Sequence, residues 1–183
     1  VEVRWAAVTG LGIIDDVARC LAEASVDPVS PNILKPAAKG QLSYTGLCVS
    51  DDGKRVFLSN VRGSIKVFAF GDDGTLAPSH TLPLPPANAP RRDEEIPTGL
   101  ALSPDGRTLW VCGMLGNRLL ELDAGTGDLR RTIEVGVAPW DVVLAGDRLF
   151  VSNFGGRRPA ASDVVGPAGR GTTVRVDPVR HVA

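Results

Sequence analysis

The stretch Thr45-Gly46-Leu47-Cys48-Val49-Ser50-Asp51-Asp52-Gly53-Lys54-Arg55-Val56-Phe57-Leu58-Ser59-Asn60 returns 53 positions later as Thr98-Gly99-Leu100-Ala101-Leu102-Ser103-Pro104-Asp105-Gly106-Arg107-Thr108-Leu109-Trp110-Val111-Cys112-Gly113. A third copy starts at Pro139, 42 positions after Pro97, and runs through Trp140-Asp141-Val142-Val143-Leu144 to Leu149-Phe150-Val151-Ser152-Asn153. Its turn, Ala145-Gly146-Asp147-Arg148, is two residues shorter. Each copy has one logic. An apolar run stops at a turn in which an aspartate accepts local backbone hydrogen bonds and a glycine supplies positive φ, and a second run returns with an aromatic residue at its centre. The repeated unit is therefore a β-hairpin.

Working outward, Ser64-Ile65-Lys66-Val67-Phe68-Ala69-Phe70 and Thr81-Leu82-Pro83-Leu84 add two strands to the first copy, with Asp72-Asp73-Gly74 turning between them. Arg118 to Asp123 and Leu129 to Val135 do the same for the second, around Gly125-Thr126-Gly127-Asp128. Four antiparallel strands every 40 to 50 residues is the arithmetic of a β-propeller blade, a unit that buries little alone and needs stacked neighbours. The expected fold is all-β: a partial β-propeller over residues 41–183, with blades near 45–96 and 97–137 and an incomplete one at 138–183. The 21 glycines and 14 prolines among 183 residues fit many short strands and tight turns, not a helical bundle.

Residues 1–40 do not follow the repeat. Val1 to Val8 reads as a short strand and Ile13 to Ala24 as an amphipathic helix, followed by a proline-punctuated connector from Asp27-Pro28 to Pro36, so a short α/β leader is expected. Gly10-Leu11-Gly12 is not a dinucleotide fingerprint, because Asp15 stands where the third glycine belongs and would repel a pyrophosphate.

A net charge of −1 without a long block of like charge argues against binding nucleic acid or an anionic membrane by electrostatics, and no apolar run is long enough to span a bilayer as a helix. Cys20, Cys48 and Cys112 lack the spacing of a zinc site and read as structural thiols. Asp51-Asp52-Gly53 and Asp72-Asp73-Gly74 lack the alternating acids of a calcium loop and read as turns, and His80 and His181 have no companion ligands at useful spacing. No metal, cofactor or catalytic constellation is expected.

The second unit, from Ser103-Pro104-Asp105-Gly106 through Asn117-Arg118-Leu119-Leu120-Glu121-Leu122-Asp123 to Ile133-Glu134-Val135-Gly136, resembles the YVTN-type propeller repeat. Pro139-Trp140-Asp141-Val142-Val143, Val151 to Pro159 and Val174-Arg175-Val176-Asp177-Pro178 are similar to the long-loop blade of YncE-like propellers. The first unit, with Ile65-Lys66-Val67-Phe68 and Asp73-Gly74-Thr75-Leu76, is also similar to lactonase-type propellers. The resemblance implies a seven-bladed ring of which this chain supplies a part, a periplasmic or extracellular location, and in the YncE-like branch frequent fusion to a phosphoesterase of the alkaline-phosphatase superfamily. It carries over no catalytic residue.

Candidate site residues concentrate in the third unit. The long segment from Asn153 to Pro178 holds Arg157, Arg158, Asp163, Arg170, Arg175 and Asp177, and reads as an irregular insertion between the second and third strands of its blade. Arg157 and Arg158 beside Gly155-Gly156 suit bidentate recognition of a carboxylate or phosphate. Trp140 and Asp141 open the innermost strand, where one can stack on a ligand and the other accept a hydrogen bond; blade packing is the competing reading. Arg91-Arg92-Asp93-Glu94-Glu95 reads as a solvated loop. The expected function is noncatalytic recognition of a protein or small molecule, with the propeller half of a YncE-like phosphoesterase and a propeller lactonase as alternatives. Open sheet edges are expected to favour association.

Overall fold

The computed structural model describes residues 42–90, 92–167 and 172–180. The expected leader strand, helix and connector, with Cys20, Arg91, Arg170 and His181, lie outside the described residues.

Strands β1 (Leu42–Val49), β2 (Arg55–Asn60), β3 (Ser64–Phe70) and β4 (Leu76–Pro83) form one antiparallel meander, hereafter blade A. Blade B repeats it with β5 (Pro97–Leu102), β6 (Thr108–Gly113), β7 (Arg118–Asp123) and β8 (Leu129–Glu134). The third unit, C, has the hairpin β9 (Pro139–Ala145) and β10 (Arg148–Asn153) and a separate small hairpin, β11 (Val165–Pro167) with β12 (Thr173–Arg175). The described residues are thus an all-β partial propeller.

The hairpin turns close as their sequences dictate. In blade A the Asp52 carboxylate accepts bonds from the Ser50 hydroxyl at 2.5 Å and the Lys54 amide at 3.0 Å, while Gly53 takes φ 70°. In blade B, Asp105 does the same with Ser103 at 2.5 Å and Arg107 at 3.1 Å, and Gly106 takes φ 67°. These bonds, the serine hydroxyl's first, hold both aspartates below the ordinary carboxylate range.

Side chains alternate across a strand, so a blade between two neighbours must be apolar on both faces. Blade B is. Its Leu100, Leu109, Val111, Leu120 and Leu122 form one core with Phe57, Ile65, Val67 and Leu82 of blade A. Its Ala101, Cys112 and Leu119 form a second core with Val142, joined by Trp110, Leu144, Leu149 and Val151. Burial pushes the Cys112 thiol up to about 12, with the nearby Asp141 charge adding to it, and burial alone takes Cys48 up to about 12.

The first strands of the three units stand side by side, β5 between β1 and β9. Buried side-chain bonds stitch them: the Ser59 hydroxyl donates to the Thr98 carbonyl at 2.6 Å, and the Thr98 hydroxyl to the Pro139 carbonyl at 2.8 Å. The backbones approach so closely that glycine is required. A Cβ on Gly46 would lie 2.0 Å from the Thr98 carbonyl oxygen, and one on Gly99 would lie 2.4 Å from the Asp141 Cα.

Candidate functional site

Because the strands alternate in direction, the loop residues 61–63, 84–90, 92–96, 114–117, 135–138 and 154–164 all lie at one end of the blades. Side chains weld this loop end together. Glu95, only 1% exposed, accepts bonds on Oε1 from the amides of Ile96 at 3.1 Å, Leu115 at 2.9 Å and Gly116 at 3.2 Å, and on Oε2 from the Arg118 Nε at 3.2 Å. Arg118 also donates to the carbonyls of Pro85 and Pro86, and Arg92 donates to the Val61 carbonyl. Glu95 is therefore not the solvated side chain expected of this charge run, because the turn amides of blade B turn inward and need an acceptor, whereas Asp93 and Glu94 are exposed as expected. An isolated glutamate in a charge run gives no sign of such burial; only the matching donors, far off in sequence, reveal it.

In unit C the segment after β10 is fixed by backbone. Phe154 N donates to the Ala138 carbonyl and Gly155 N to Val137, both at 2.9 Å, while Val137 N returns a bond to Gly156 at 2.8 Å. This clasp sets the Phe154 ring 6.3 Å from that of Trp140, the two planes tilted by 43°. Trp140 is the extra residue at a bulge, since Asp141 pairs with Ser152 and Pro139 with Asn153. Both rings reach solvent, Trp140 at 41% and Phe154 at 86% exposure. Phe154 was not among the expected site residues; its neighbours Gly155-Gly156 were the signal of a turn that would present it.

Asp141 is exposed beside Trp140, its carboxylate accepting the Val142 amide at 2.9 Å while its own amide donates to Ser152 Oγ at 3.1 Å. Asn153 donates from Nδ2 to the Val151 carbonyl at 3.3 Å, and its Oδ1 is buried with no hydrogen-bond partner. Trp140, Asp141 and Asn153 are thus brought together with Phe154 at the start of β9 and the end of β10.

The arginine pair divides. Arg157 makes a bidentate pair with Asp163, at 2.7 and 2.8 Å, and Asp163 also accepts the Ala160 amide at 2.6 Å. The Arg157 guanidinium, helped by that amide, holds Asp163 down to about 2. Arg158 donates to the carbonyls of Val135 and Asn117 and lies 3.2 Å from Glu134. Both guanidinium groups thus have acceptors within the chain. Asp177 accepts the amides of Val179 at 2.8 Å and Arg180 at 3.0 Å, closing a turn at the far end of the segment and lowering its own pKa. The segment is less irregular than expected, since β11 and β12 pair within it, and β12 pairs with β11, not with β10. Among the described residues, no three His, Cys, Asp or Glu side chains converge as metal ligands.

No family model and no curated protein sequence matches the chain. Among solved structures it is similar to the periplasmic gluconolactonase PpgL of Pseudomonas aeruginosa, at 25% identity and a TM-score of 0.50 over 73% of this chain and 39% of that one. It is also similar in fold to a Bacteroides uniformis protein assigned as a 6-phosphogluconolactonase, at 19% identity and a TM-score of 0.51 over 78% of this chain and 44% of the other. The chain spans about two fifths of the length of these two structures.

Proposed function

We propose that the chain is the recognition part of a β-propeller, and that its loop end holds a small polyhydroxylated ring against Trp140 and Phe154. The exposed, tilted aromatic pair carries this reading. Aromatic faces at a strand end, with the Asp141 carboxylate as acceptor nearby, suit a ligand that has an apolar ring face and hydroxyl edges. Titration with D-glucose and glucono-δ-lactone, followed by tryptophan fluorescence, tests it. Saturable quenching that disappears in Trp140→Ala supports the reading; quenching that survives in that variant moves the site elsewhere.

The likeness to PpgL favours a second reading, in which the intact protein opens a sugar lactone by hydrolysis. A pH-stat assay on glucono-δ-lactone, compared with heat-denatured protein and with Asp141→Asn, tests it. Turnover above the denatured control converts the recognition module into an enzyme. The YncE-like phosphoesterase reading places its chemistry in a domain outside this chain, and a zinc-supplemented phosphatase assay on the full-length gene product decides it. The same likeness supports a periplasmic location, which cell fractionation tests.

A further inference from the structure

Among the described residues three that are not glycine take positive φ, and two of them, Asn117 at 53° and Ala138 at 51°, are tied to each other. Asparagine tolerates the left-handed region, but the Cβ of an alanine crowds the following carbonyl there, so Ala138 needs a partner to hold it. Asn117, in the turn of blade B, supplies one: its Oδ1 accepts the Ala138 amide at 2.8 Å. On the other side, the Ala138 carbonyl accepts the Phe154 amide at 2.9 Å, and Pro139 and Trp140 follow Ala138 directly. Ala138 therefore links the two rings of the aromatic pair, and a side chain from blade B fixes its amide. The connector has no slack in which to absorb a change, since a Cβ on Gly136 would lie 2.2 Å from the Gly156 carbonyl oxygen. Arg158 donates to the Asn117 carbonyl, which binds the same residue to the segment beyond Phe154.

The junction from blade A into blade B shows that the fold does not require this device. Ile96 stands before Pro97 as Ala138 stands before Pro139, and its carbonyl accepts the Met114 amide at 3.0 Å. Yet Ile96 has no positive φ, and its own amide donates to the adjacent Glu95. Gly63, which precedes β3 as Asn117 precedes β7, has φ 71° and no side chain to reach forward. Thr98 and Met114 occupy the places of Trp140 and Phe154. The left-handed alanine and its asparagine accompany the aromatic pair.

We propose that Asn117 is the positioning residue of the Trp140–Phe154 site: through the Ala138 amide it holds the connector in the left-handed conformation that sets the two rings 6.3 Å apart. Its effect on affinity rests on the reading of that pair as a seat for a polyhydroxylated ring; its effect on the rings themselves does not.

Two variants isolate the side chain. Asn117→Gly keeps a residue at ease with positive φ, as Gly63 is in blade A, but has no acceptor; Asn117→Asp keeps an acceptor oxygen in the same place. The readout is the set of NMR cross-relaxation peaks between the Trp140 and Phe154 rings, which a merely weaker but folded chain retains. These peaks are expected in the wild-type chain and in Asn117→Asp, and are expected to vanish in Asn117→Gly while the amide spectrum stays dispersed. Titration with glucono-δ-lactone adds the ligand arm: Asn117→Gly is expected to bind at least about tenfold more weakly, because the rings are no longer preorganised, and Asn117→Asp to recover most of that loss. Ring peaks absent from the wild-type chain, persisting in folded Asn117→Gly, or not restored in Asn117→Asp each overturn the proposal. A wild-type chain that shows the ring peaks, loses them in Asn117→Gly and binds no sugar overturns the ligand reading and supports the positioning role. Ala138→Gly tests the same hold without altering blade B, and decides the matter if Asn117→Gly does not fold. It removes the crowded Cβ, so it is expected to raise the unfolding midpoint and keep the ring peaks; a lowered midpoint would show that Ala138 is not held in the left-handed region, and overturns the proposal.

Discussion

Blade B and unit C begin with nearly the same hairpin and then part. After β6, Asn117-Arg118-Leu119-Leu120 enters a third strand; after β10, the corresponding residues are Arg157-Arg158-Pro159-Ala160. Arg118 and Arg158 are equivalent, and each caps carbonyls of the connector leading into its own unit. The divergence falls on the next residue. Leu119 pairs with Cys112 in the sheet and is buried, whereas Pro159, which has no amide to offer a ladder, stands where the chain leaves the sheet. A second difference lies at the turn itself. Blade B satisfies its turn amides with the buried Glu95 carboxylate, and unit C satisfies Gly155 with the Val137 carbonyl. Blade B, enclosed on both faces, holds a buried ion pair at this turn; the unit C turn is held by backbone.

The comparison breaks most severely at Glu95. Glu95→Ala leaves Arg118 and the amides of Ile96, Leu115 and Gly116 without their acceptor, and is expected to cost about 3–5 kcal/mol, the usual loss when one partner of a buried pair is removed. Arg158→Ala, at the exposed equivalent of Arg118, is expected to move the denaturant midpoint far less. Equal losses from the two variants would show that unit C is as tightly built as blade B.

The two apolar faces give the next contrast. Leu120 is fully buried between blades A and B, so Leu120→Ala is expected to cost about 2–5 kcal/mol in urea unfolding, transfer and cavity terms together. Phe150→Ala, on the open face, is expected to cost under about 1 kcal/mol when measured at concentrations where the chain is monomeric. A large loss at Phe150 under those conditions would mean that the face is covered within the single chain.

A smaller effect is expected at the stitch between first strands. Ser59→Ala removes the donor to the buried Thr98 carbonyl and is expected to cost about 1–2 kcal/mol, with the ladder unchanged by circular dichroism. A neutral substitution would mean that the glycine approach at Gly46, not the hydroxyl, sets the spacing between blades A and B.

The hairpins, the four-strand units and their order were legible in the sequence because strand alternation, Asp-Gly turns and repetition are local signals. The buried role of Glu95 was not, because its donors lie about twenty positions downstream and nothing near Glu95 announces them. At the candidate site, the repeat alone puts Trp140 and Asp141 near the start of β9 and Asn153 at the end of β10, where the structure has them. The partners of Arg157 and Arg158 were not readable, since an arginine pair beside glycines looks the same whether its acceptors come from a ligand or from Asp163 and the carbonyls of Val135 and Asn117. The small hairpin β11–β12 was hidden for a related reason: two three-residue strands carry too few alternations to stand out.

The gentlest way to sharpen the comparison is through two aspartates that share a low pKa for different reasons. In blade B, Asp123 is held down to about 2 first by the amides of Gly125 and Thr126 and then by Arg130; in the unit C segment, Asp163 is held down to about 2 first by Arg157 and then by the Ala160 amide. Both folded values lie below the ordinary aspartate value of about 3.9, so each interaction contributes fully above that pH and is lost as pH falls toward 2. Carboxyl carbon NMR titration is therefore expected to give both residues midpoints near 2 in the wild-type chain. Arg157→Gln separates them: the Asp163 midpoint rises toward the ordinary value, because its leading partner is gone, while Asp123, held by its own turn, does not move. An Asp163 midpoint already ordinary in the wild-type chain would mean that the Arg157 pair does not persist in solution, which frees that guanidinium for an external anion. A midpoint that stays low in Arg157→Gln would transfer the hold to the Ala160 amide and make the segment, like the blade B turn, a structure closed by its backbone.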